Sequence, residues 1–332
     1  MNFYQSKLRK IINKDIYKKP TFFQEYAWQE LFWITKSQKR LWKTLNRFMI
    51  HGVDEDMRTS IPIHQKEIQY IQRDFNKSRG DIFFQIWNVY TLWERDTKDI
   101  KSKPDLIQTI VKQKNEINAL YQEKYQLVPS WREHMPDATV LLDLSAWIEP
   151  LQAWYSRSCK RYINKAKKHD LTFVLAKKEQ WSLFRENRYE MSYDKWFAVL
   201  WRDVFLDLMM YITESEQWDL FLAMKWDEIV SGSVMLRIQK DMYYLYGSTN
   251  RAYGDIWWHY RLKNQLFARA VEQWYESCDL LWVAPPYNMD EHYLWWVTRF
   301  KQSFGGKTIL YTWNYDLVFN SMLYRLMQSL KK

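Results

Sequence analysis

The sequence predicts a mixed α/β (α+β) fold arranged in two domains. Its 332 residues are enough for two domains of roughly 100–200 residues each. Hydrophobic residues make up 47% and charged residues 27% of the chain, which is typical of a globular protein. In the second half, helical patterns alternate with short strand-like runs. Pro129 and Pro136 interrupt the chain near the boundary that we place between the domains, at residues 1–135 and 136–332.

The first domain contains three predicted segments. We assign residues 22–48 to one or two helices. Residues 79–93 (RGDIFFQIWNVYTLW) are rich in β-branched and aromatic side chains and indicate a strand. Pro104 opens a helical stretch that continues to about residue 125, in agreement with the preference of proline for the first turn of a helix.

The second domain alternates helices with the strands of a mixed sheet. Two of its predicted strands flank a turn at Trp226 and form a hairpin. The predicted strands are residues 139–144, 171–176, 219–224, 229–239, 242–248, 278–283 and 308–311. The predicted helices are residues 146–169, a stretch that ends at about 212, residues 256–277 and a closing helix at 315–330.

The net charge of +10 is concentrated in two regions. Residues 1–47 carry eleven Lys and Arg against three acidic residues, and residues 157–178 carry eight against one. Within the second region, four cations at helical spacing form what we call the basic stripe: Arg157, Arg161, Lys165 and Lys168. Such a stripe suits a phosphate-rich partner, namely RNA, a nucleotide or an anionic membrane face. The alternative is an ordinary solvated helix face.

Several classes of protein are excluded by the composition. No apolar run approaches the ~20 residues of a membrane span, and the basic N-terminus has no apolar signal region. Cys159 and Cys278 alone cannot build a disulfide framework or a zinc site. The six histidines are scattered without ligand spacing, so we expect no metal. We therefore expect a cytoplasmic protein.

The tryptophan content is abnormal. The chain has 20 Trp and only 7 Gly among 332 residues, although glycine usually reaches about 7%. Some of these tryptophans, such as Trp226, stand where a turn favours a residue that tolerates positive φ. We hypothesise that many of them are glycines encoded by reassigned UGA codons. A truly tryptophan-rich protein with aromatic patches is the alternative, and the codons decide between the two.

Five segments in order resemble the FemABX family. The most specific is FKQSFGG at residues 300–306, which matches the FK-x-x-FGG signature of that family. Each segment alone is weak, whereas the ordered set is fairly specific. The other four are FFQEYAW at 22–28, PDATVLLDLS at 136–145, RYINKAKK at 161–168 and YLYGS at 244–248. No GxGxxG, P-loop, HExxH or GxSxG motif accompanies them.

The resemblance implies two GNAT-like (acyl-CoA N-acyltransferase-like) domains and a peptidoglycan bridge-forming aminoacyltransferase. Such an enzyme moves an amino acid from aminoacyl-tRNA to the stem-peptide amine of a UDP-linked or lipid-linked muropeptide. The donor ester is already activated, so no cofactor is implied. The second domain has no run of residues for a helical-hairpin arm, so the chain is similar to the arm-less members. We also expect peripheral contact with the inner membrane face, and the last helix can pack on the first domain.

The resemblance assigns roles to four residues in the YLYGS strand and the FK-x-x-FGG signature. Lys301 would stabilise the charge that develops on the reacting carbonyl, and Phe300 would fix the position of Lys301. Tyr246 and Tyr244 would contact the precursor or the donor. The alternatives are a surface lysine in a turn and ordinary sheet packing.

Phosphate binding is assigned less directly. Arg202 and Lys195 are competing candidates for the precursor phosphates. The N-terminal phosphate-binding lysine of some relatives has no clean counterpart, because the register falls near Leu31 and only Lys36 is close. The basic stripe would bind the tRNA backbone or the precursor-bearing membrane without base specificity.

The family register also bears on the tryptophans. Trp28 matches a family tryptophan and is expected to be genuine. Elsewhere the family tends to have glycine where this chain has five tryptophans: Trp226, Trp274, Trp282, Trp296 and Trp313.

Two other functions remain open from the sequence. A GNAT-type N-acyltransferase would use acyl-CoA and hold its pyrophosphate with a Q/R-x-x-G-x-G/A loop at a helix N-terminus. Residues 302–307 (QSFGGK) match that loop only in part. A non-enzymatic RNA-binding protein would instead combine basic stripes with aromatic stacking.

Overall fold

The computed structural model describes the chain in segments. The described residues are 21–26, 29–40, 43–51, 83–87, 91–96, 104–130, 137–177, 179–184, 186, 188, 218–250, 257–311, 314–318 and 320–329. Side chains are described only from residue 107 onward, with gaps.

The strands form two mixed sheets. The small sheet has the order β1-β2-β3-β4-β14-β6, and the large sheet has the order β5-β13-β7-β12-β11-β10-β9-β8. The strands are β1 (Thr21–Tyr26), β2 (Gln29–Arg40), β3 (Lys43–His51), β4 (Phe83–Trp87), β5 (Thr91–Asp96), β6 (Leu127–Pro129), β7 (Ala138–Asp143), β8 (Thr172–Leu175), β9 (Trp218–Lys225), β10 (Glu228–Ile238), β11 (Asp241–Thr249), β12 (Ser277–Asp279), β13 (Lys307–Tyr311) and β14 (Asn314–Val318).

Six helices with complete bounds accompany the sheets in the described residues. They are α1 (Pro104–Tyr125), α2 (Ile148–Trp154), α3 (Arg157–Ala166), α4 (Trp257–Glu272), α5 (Trp295–Gln302) and α6 (Ser321–Ser329), with a short 3₁₀ turn at Pro286–Asn288. Within the described segments, none of the helices has the length and apolar character needed to cross a membrane.

Each sheet takes strands from both sides of the boundary at residues 135 and 136. β5 pairs with β13 at the edge of the large sheet, whereas β14 lies between β4 and β6 in the small sheet. The two-domain division stays a prediction.

Both faces of β9, a strand of the large sheet, are buried. Along β9, Phe221 and Ala223 belong to one hydrophobic cluster, and the alternate residues Leu220 and Leu222 belong to the other. Because successive side chains of a strand point to opposite faces, this alternation shows that apolar side chains cover both sides. The larger cluster holds α3, α4 and Phe304, and it supports the candidate site.

Most predicted elements are present, and the hairpin around Trp226 is confirmed as β9 and β10, which pair in antiparallel register. The helix predicted from Pro104 to about residue 125 is confirmed as α1. The helical interpretation of residues 22–48 is wrong, because β1, β2 and β3 form an antiparallel meander there. Hydrogen-bonded pairing along the length of these strands overrides the local helical pattern in this segment.

Three further boundaries differ from the predictions. The predicted helix at 146–169 breaks at Ser156, whose extended backbone and Oγ cap α3 through the amide of Cys159 at 3.1 Å. Residues 79–93 supply strands to two sheets, β4 to the small one and β5 to the large one. The predicted closing helix starts at Ser321, because residues 314–318 form the strand β14 that joins β4 to β6.

Candidate functional site

Lys301 is buried, which a surface lysine in a turn would not be. It lies in the last turn of α5 with 5% of its surface exposed. Its ammonium donates to the carbonyl oxygens of Leu281 and Trp282, the latter at 3.0 Å. Burial lowers the pKa of Lys301 to about 7, although Asp279 and Cys278 oppose the shift. The ammonium is therefore held by backbone dipoles just after β12.

Asp279, at the end of β12, acts electrostatically on this lysine. The carboxylate accepts hydrogen bonds from the Thr139 hydroxyl and from the amide of Leu281 at 2.7 Å. Burial raises its pKa to about 6, while these hydrogen bonds and Lys301 favour the charged form. The carboxylate and the ammonium thus stabilise one another away from water.

A second buried lysine lies close to the first. Lys263 of α4 is 1% exposed, and its Nζ donates to the Ser233 hydroxyl at 2.9 Å. The same Nζ is 3.0 Å from the centroid of the Tyr244 ring, and that of Lys301 is 5.5 Å from it. Burial lowers the pKa of Lys263 well below its usual range, and the positive charge of Lys301 acts in the same direction. Tyr244 therefore lies beside both lysines.

Phe300 belongs to an aromatic cluster under the site. Its ring centroid lies 5.1 Å from that of His259, 4.9 Å from that of Tyr260 and 5.3 Å from that of Phe304. Phe304 is fully buried and also meets the edge of Tyr155 at 5.4 Å. This packing fixes the end of α5 and so fixes Lys301.

The two glycines of the FK-x-x-FGG segment make the turn into β13. Gly305 and Gly306 have φ of 80° and 78°, where glycine has little steric cost. A Cβ on Gly306 would lie 2.5 Å from the carbonyl oxygen of Leu141. The turn joins the end of a helix to a strand, so residues 302–307 do not form the helix N-terminal loop that would hold a pyrophosphate.

Tyr246 and Tyr244 lie on opposite faces of β11. Tyr244 packs in the larger cluster and Tyr246 against the other, because the pairing with β10 shifts register between Val234 and Met235. The Arg188 guanidinium stands 4.7 Å from the Tyr246 ring centroid and donates to a β11 carbonyl at 2.8 Å. Burial lowers the pKa of Arg188, although the neighbouring Tyr246 and Tyr244 oppose the shift.

The basic stripe is exposed. Arg157, Arg161 and Lys165 lie on α3, and Lys168 follows its C-terminal end. The opposite face of α3 is buried in the core, as its pattern requires. Lys165 Nζ is 4.1 Å from the centroid of the Trp257 ring. The stripe is thus a cationic surface with an aromatic neighbour.

Three phosphate candidates lie wholly or partly outside the described residues. Arg202 and Lys195 lie outside the described residues. Lys36 lies on β2 opposite Arg47 of β3, and its side chain is outside the described set.

The backbone supports the glycine hypothesis at three positions. Trp226, Trp274 and Trp282 have φ of 54°, 63° and 37°, in the region that side chains rarely adopt. The three residues are 79%, 80% and 45% exposed, so packing compensates little at Trp226 and Trp274. Trp296 lies on α5 instead, and Trp313 is outside the described residues.

Comparison with known proteins finds a family match in the part of the chain that carries the site. Residues 215–332 match the FemAB family. The FemAB segment contains the YLYGS strand, Lys263 and the FK-x-x-FGG turn, so the resemblance drawn from the motifs is confirmed. No curated protein matches the sequence significantly.

Solved structures share the fold along nearly the whole chain. FemX matches with a TM-score of 0.68 at 13% identity, covering 98% of this chain and 94% of FemX. A conserved protein of unknown function from Bacteroides thetaiotaomicron matches at 0.56 and 11% identity, covering 92% and 88%. The C-terminal domain of a putative lysylphosphatidylglycerol synthetase from Agrobacterium fabrum matches at 0.52 and 13% identity, covering 95% and 88%. The predicted mixed α/β fold is confirmed, and it is shared with FemX.

Four residues of this site are absent from the sequence-based candidates: His259, Lys263, Asp279 and Arg188. His259 and Lys263 are four residues apart on α4, a spacing that places them on one helix face. That spacing was the only sign of these two residues in the sequence. It does not indicate a functional site until the helix is seen to pack against Tyr244.

Proposed function

We propose that this protein is an aminoacyltransferase that moves an amino acid from aminoacyl-tRNA to the stem-peptide amine of a peptidoglycan precursor. The FemAB match and the fold shared with FemX support a peptidoglycan-related acyl transfer. The observation that carries the proposal is the buried ammonium of Lys301, held by two carbonyl oxygens beside Asp279. The precursor can be UDP-linked or lipid-linked.

The chemistry requires positioning and charge stabilisation. The acceptor amine attacks the ester carbonyl carbon, a C–N bond forms, and negative charge develops on the carbonyl oxygen. Collapse breaks the C–O bond to the tRNA ribose, and the ribose oxygen receives a proton that the amine loses. A preorganised cation in a water-poor site stabilises the oxyanion more than solvent would. Lys301 supplies that cation.

The electrostatics of Lys301 suit a transient anion. With a pKa of about 7, its ammonium and amine forms coexist near neutral pH. An oxyanion placed beside it favours the charged form, so the pKa rises as the transition state forms. The interaction is therefore stronger in the transition state than in the free enzyme, which is the condition for catalysis.

The basic stripe would hold the tRNA donor. Exposed cations on one helix face bind backbone phosphates without distinguishing the base sequence, so the stripe could accept different donor tRNAs. An anionic membrane face offers the same phosphate chemistry and would bring a lipid-linked precursor to the enzyme. Aminoacyl-tRNA and the precursor are the proposed partners, with peripheral membrane contact and a cytoplasmic location.

One assay tests this function against its alternatives. The purified protein is incubated with tRNA charged with labelled amino acids and with a UDP-linked or a lipid-linked muropeptide. Transfer of label to the muropeptide is the expected result. Turnover of acetyl-CoA without tRNA would instead show an acyl-CoA transferase, and binding of tRNA without turnover would show an RNA-binding protein. Transfer to phosphatidylglycerol would overturn the assignment of the acceptor.

A further inference from the structure

His259 contacts both the tyrosine strand β11 and the FK pair of α5 in the candidate site. It lies on α4 and is 9% exposed. Its Nδ1 is 2.7 Å from the Oγ of Ser231 on β10, and its Nε2 is 3.0 Å from the hydroxyl oxygen of Tyr244 on β11. Its ring centroid is also 5.1 Å from that of Phe300. One side chain therefore touches both the tyrosine strand and the FK pair.

The hydrogen bonds around His259 fix its tautomer. The Ser231 hydroxyl donates its single hydrogen to the carbonyl oxygen of Ser248 at 3.0 Å, because a carbonyl oxygen can only accept. Ser231 Oγ must then accept from His259, which places a hydrogen on Nδ1. In the neutral ring Nε2 is left as an acceptor, so the Tyr244 hydroxyl donates to it. The three hydrogen bonds therefore run in one direction.

The position of the Tyr244 hydroxyl is restricted from the other side as well. A Cβ on Gly247 would overlap the hydroxyl oxygen and would approach Cε1 of His259 to 3.0 Å. The Tyr244 ring is thus pinned at its hydroxyl end while its face meets Lys263 at 3.0 Å. A change at His259 releases the ring next to Lys301, whose Nζ is 5.5 Å from the ring centroid.

We propose that His259, as the neutral Nδ1–H tautomer, is a positioning residue that holds Tyr244 and Phe300 in place around Lys301. The proposal rests on the transferase function proposed above. His259 does not touch the reacting atoms in this account. It acts through the hydroxyl of Tyr244 and the ring of Phe300, which together determine where the Lys301 ammonium stands.

Two amide substitutions separate the roles of the two ring nitrogens. In His259→Gln the amide oxygen can take the place of Nε2 and accept from Tyr244, whereas in His259→Asn the amide reaches only the place of Nδ1 beside Ser231. We expect His259→Asn to lower kcat about tenfold with KM unchanged, and His259→Gln to restore most of the loss. His169→Asn, on an exposed histidine, is the matched control. Equal activity of the Asn and Gln variants, or a better Asn variant, would overturn the proposal.

Tyr244→Phe provides a second test if either histidine variant unfolds. It removes the hydroxyl and keeps the ring, so it should lower kcat, but by no more than His259→Asn, which also removes the ring contact with Phe300. In the double variant Tyr244→Phe/His259→Asn the loss should be close to that of His259→Asn alone, because the hydrogen bond that Tyr244→Phe removes is already absent. Additive losses would show that His259 acts independently of Tyr244.

A spectroscopic measurement keeps this inference separate from the transferase function. Nitrogen-15 NMR of the histidine-labelled protein should show His259 with a protonated Nδ1 and an unprotonated Nε2. Tyr244→Phe should change the Nε2 signal and leave the Nδ1 signal in place. If wild-type protein transfers no amino acid but shows these signals, the proposed function fails and the hydrogen-bonded arrangement stands. A protonated Nε2 would overturn the inference whatever the activity.

Discussion

Replacing three exposed tryptophans with glycine should stabilise the protein. Trp226, Trp274 and Trp282 have positive φ, which costs an L-residue roughly 1–2 kcal/mol relative to glycine. Trp226 and Trp274 are mostly exposed and Trp282 is about half exposed, so little packing is lost at the first two positions. Because the three positions lie in separate segments of the chain, the gains should add to about 3–6 kcal/mol. The triple variant should therefore have a clearly higher midpoint of thermal or urea unfolding.

Trp258 provides the matched control for this prediction. It is 5% exposed and has a helical backbone in α4, so Trp258→Gly should cost about 3–5 kcal/mol in the free energy of unfolding. Trp282→Gly should also keep the Lys301 site, because the lysine binds the main-chain carbonyl at that position. A triple variant that loses as much stability as Trp258→Gly would refute the backbone argument. Codons of the UGG type at these positions would end the hypothesis of reassigned glycines.

Two further predictions concern charge. The turnover rate should fall as pH rises above about 7, since the oxyanion needs the protonated Lys301, and its pKa is about 7. Asp279→Asn removes a carboxylate that raises this pKa, so the alkaline limb of the pH–rate profile should move to lower pH. An unchanged limb would show that Asp279 does not influence the pKa of Lys301. In the basic stripe, the double variant Arg161→Gln/Lys165→Gln should raise KM for aminoacyl-tRNA without changing kcat, and should reduce the salt slope of binding by about two. Lys112→Gln, an exposed lysine of α1, is the control, and an equal effect there would show that the stripe has no special part in binding.

Local signals predicted the regular elements well. The proline at the start of α1, the turn residues of the β9–β10 hairpin and the FK-x-x-FGG segment each determine structure within a few neighbours. The break at Ser156 was also local, since serine is a strong N-cap that the continuous helical pattern concealed.

Other features depend on contacts between residues that are far apart in the sequence. Residues 314–318 form a strand because they pair with β4 on one side and with β6 on the other, although their sequence continues a helical pattern. The site likewise brings together His259 and Lys263 from α4, Asp279 from β12 and Lys301 from α5. Only the packed sheet makes these distant residues neighbours, so motif matching found Lys301 and missed the others.

The most direct test of the account is the rate of amino acid transfer by Lys301→Met. Methionine keeps the length and apolar stem of the lysine but removes the ammonium that two carbonyl oxygens hold. The account predicts a loss of about 10²–10³-fold in kcat with aminoacyl-tRNA binding retained, as for other donors to a developing oxyanion. A Lys301→Met protein that transfers the amino acid at the wild-type rate would contradict the central role of this lysine.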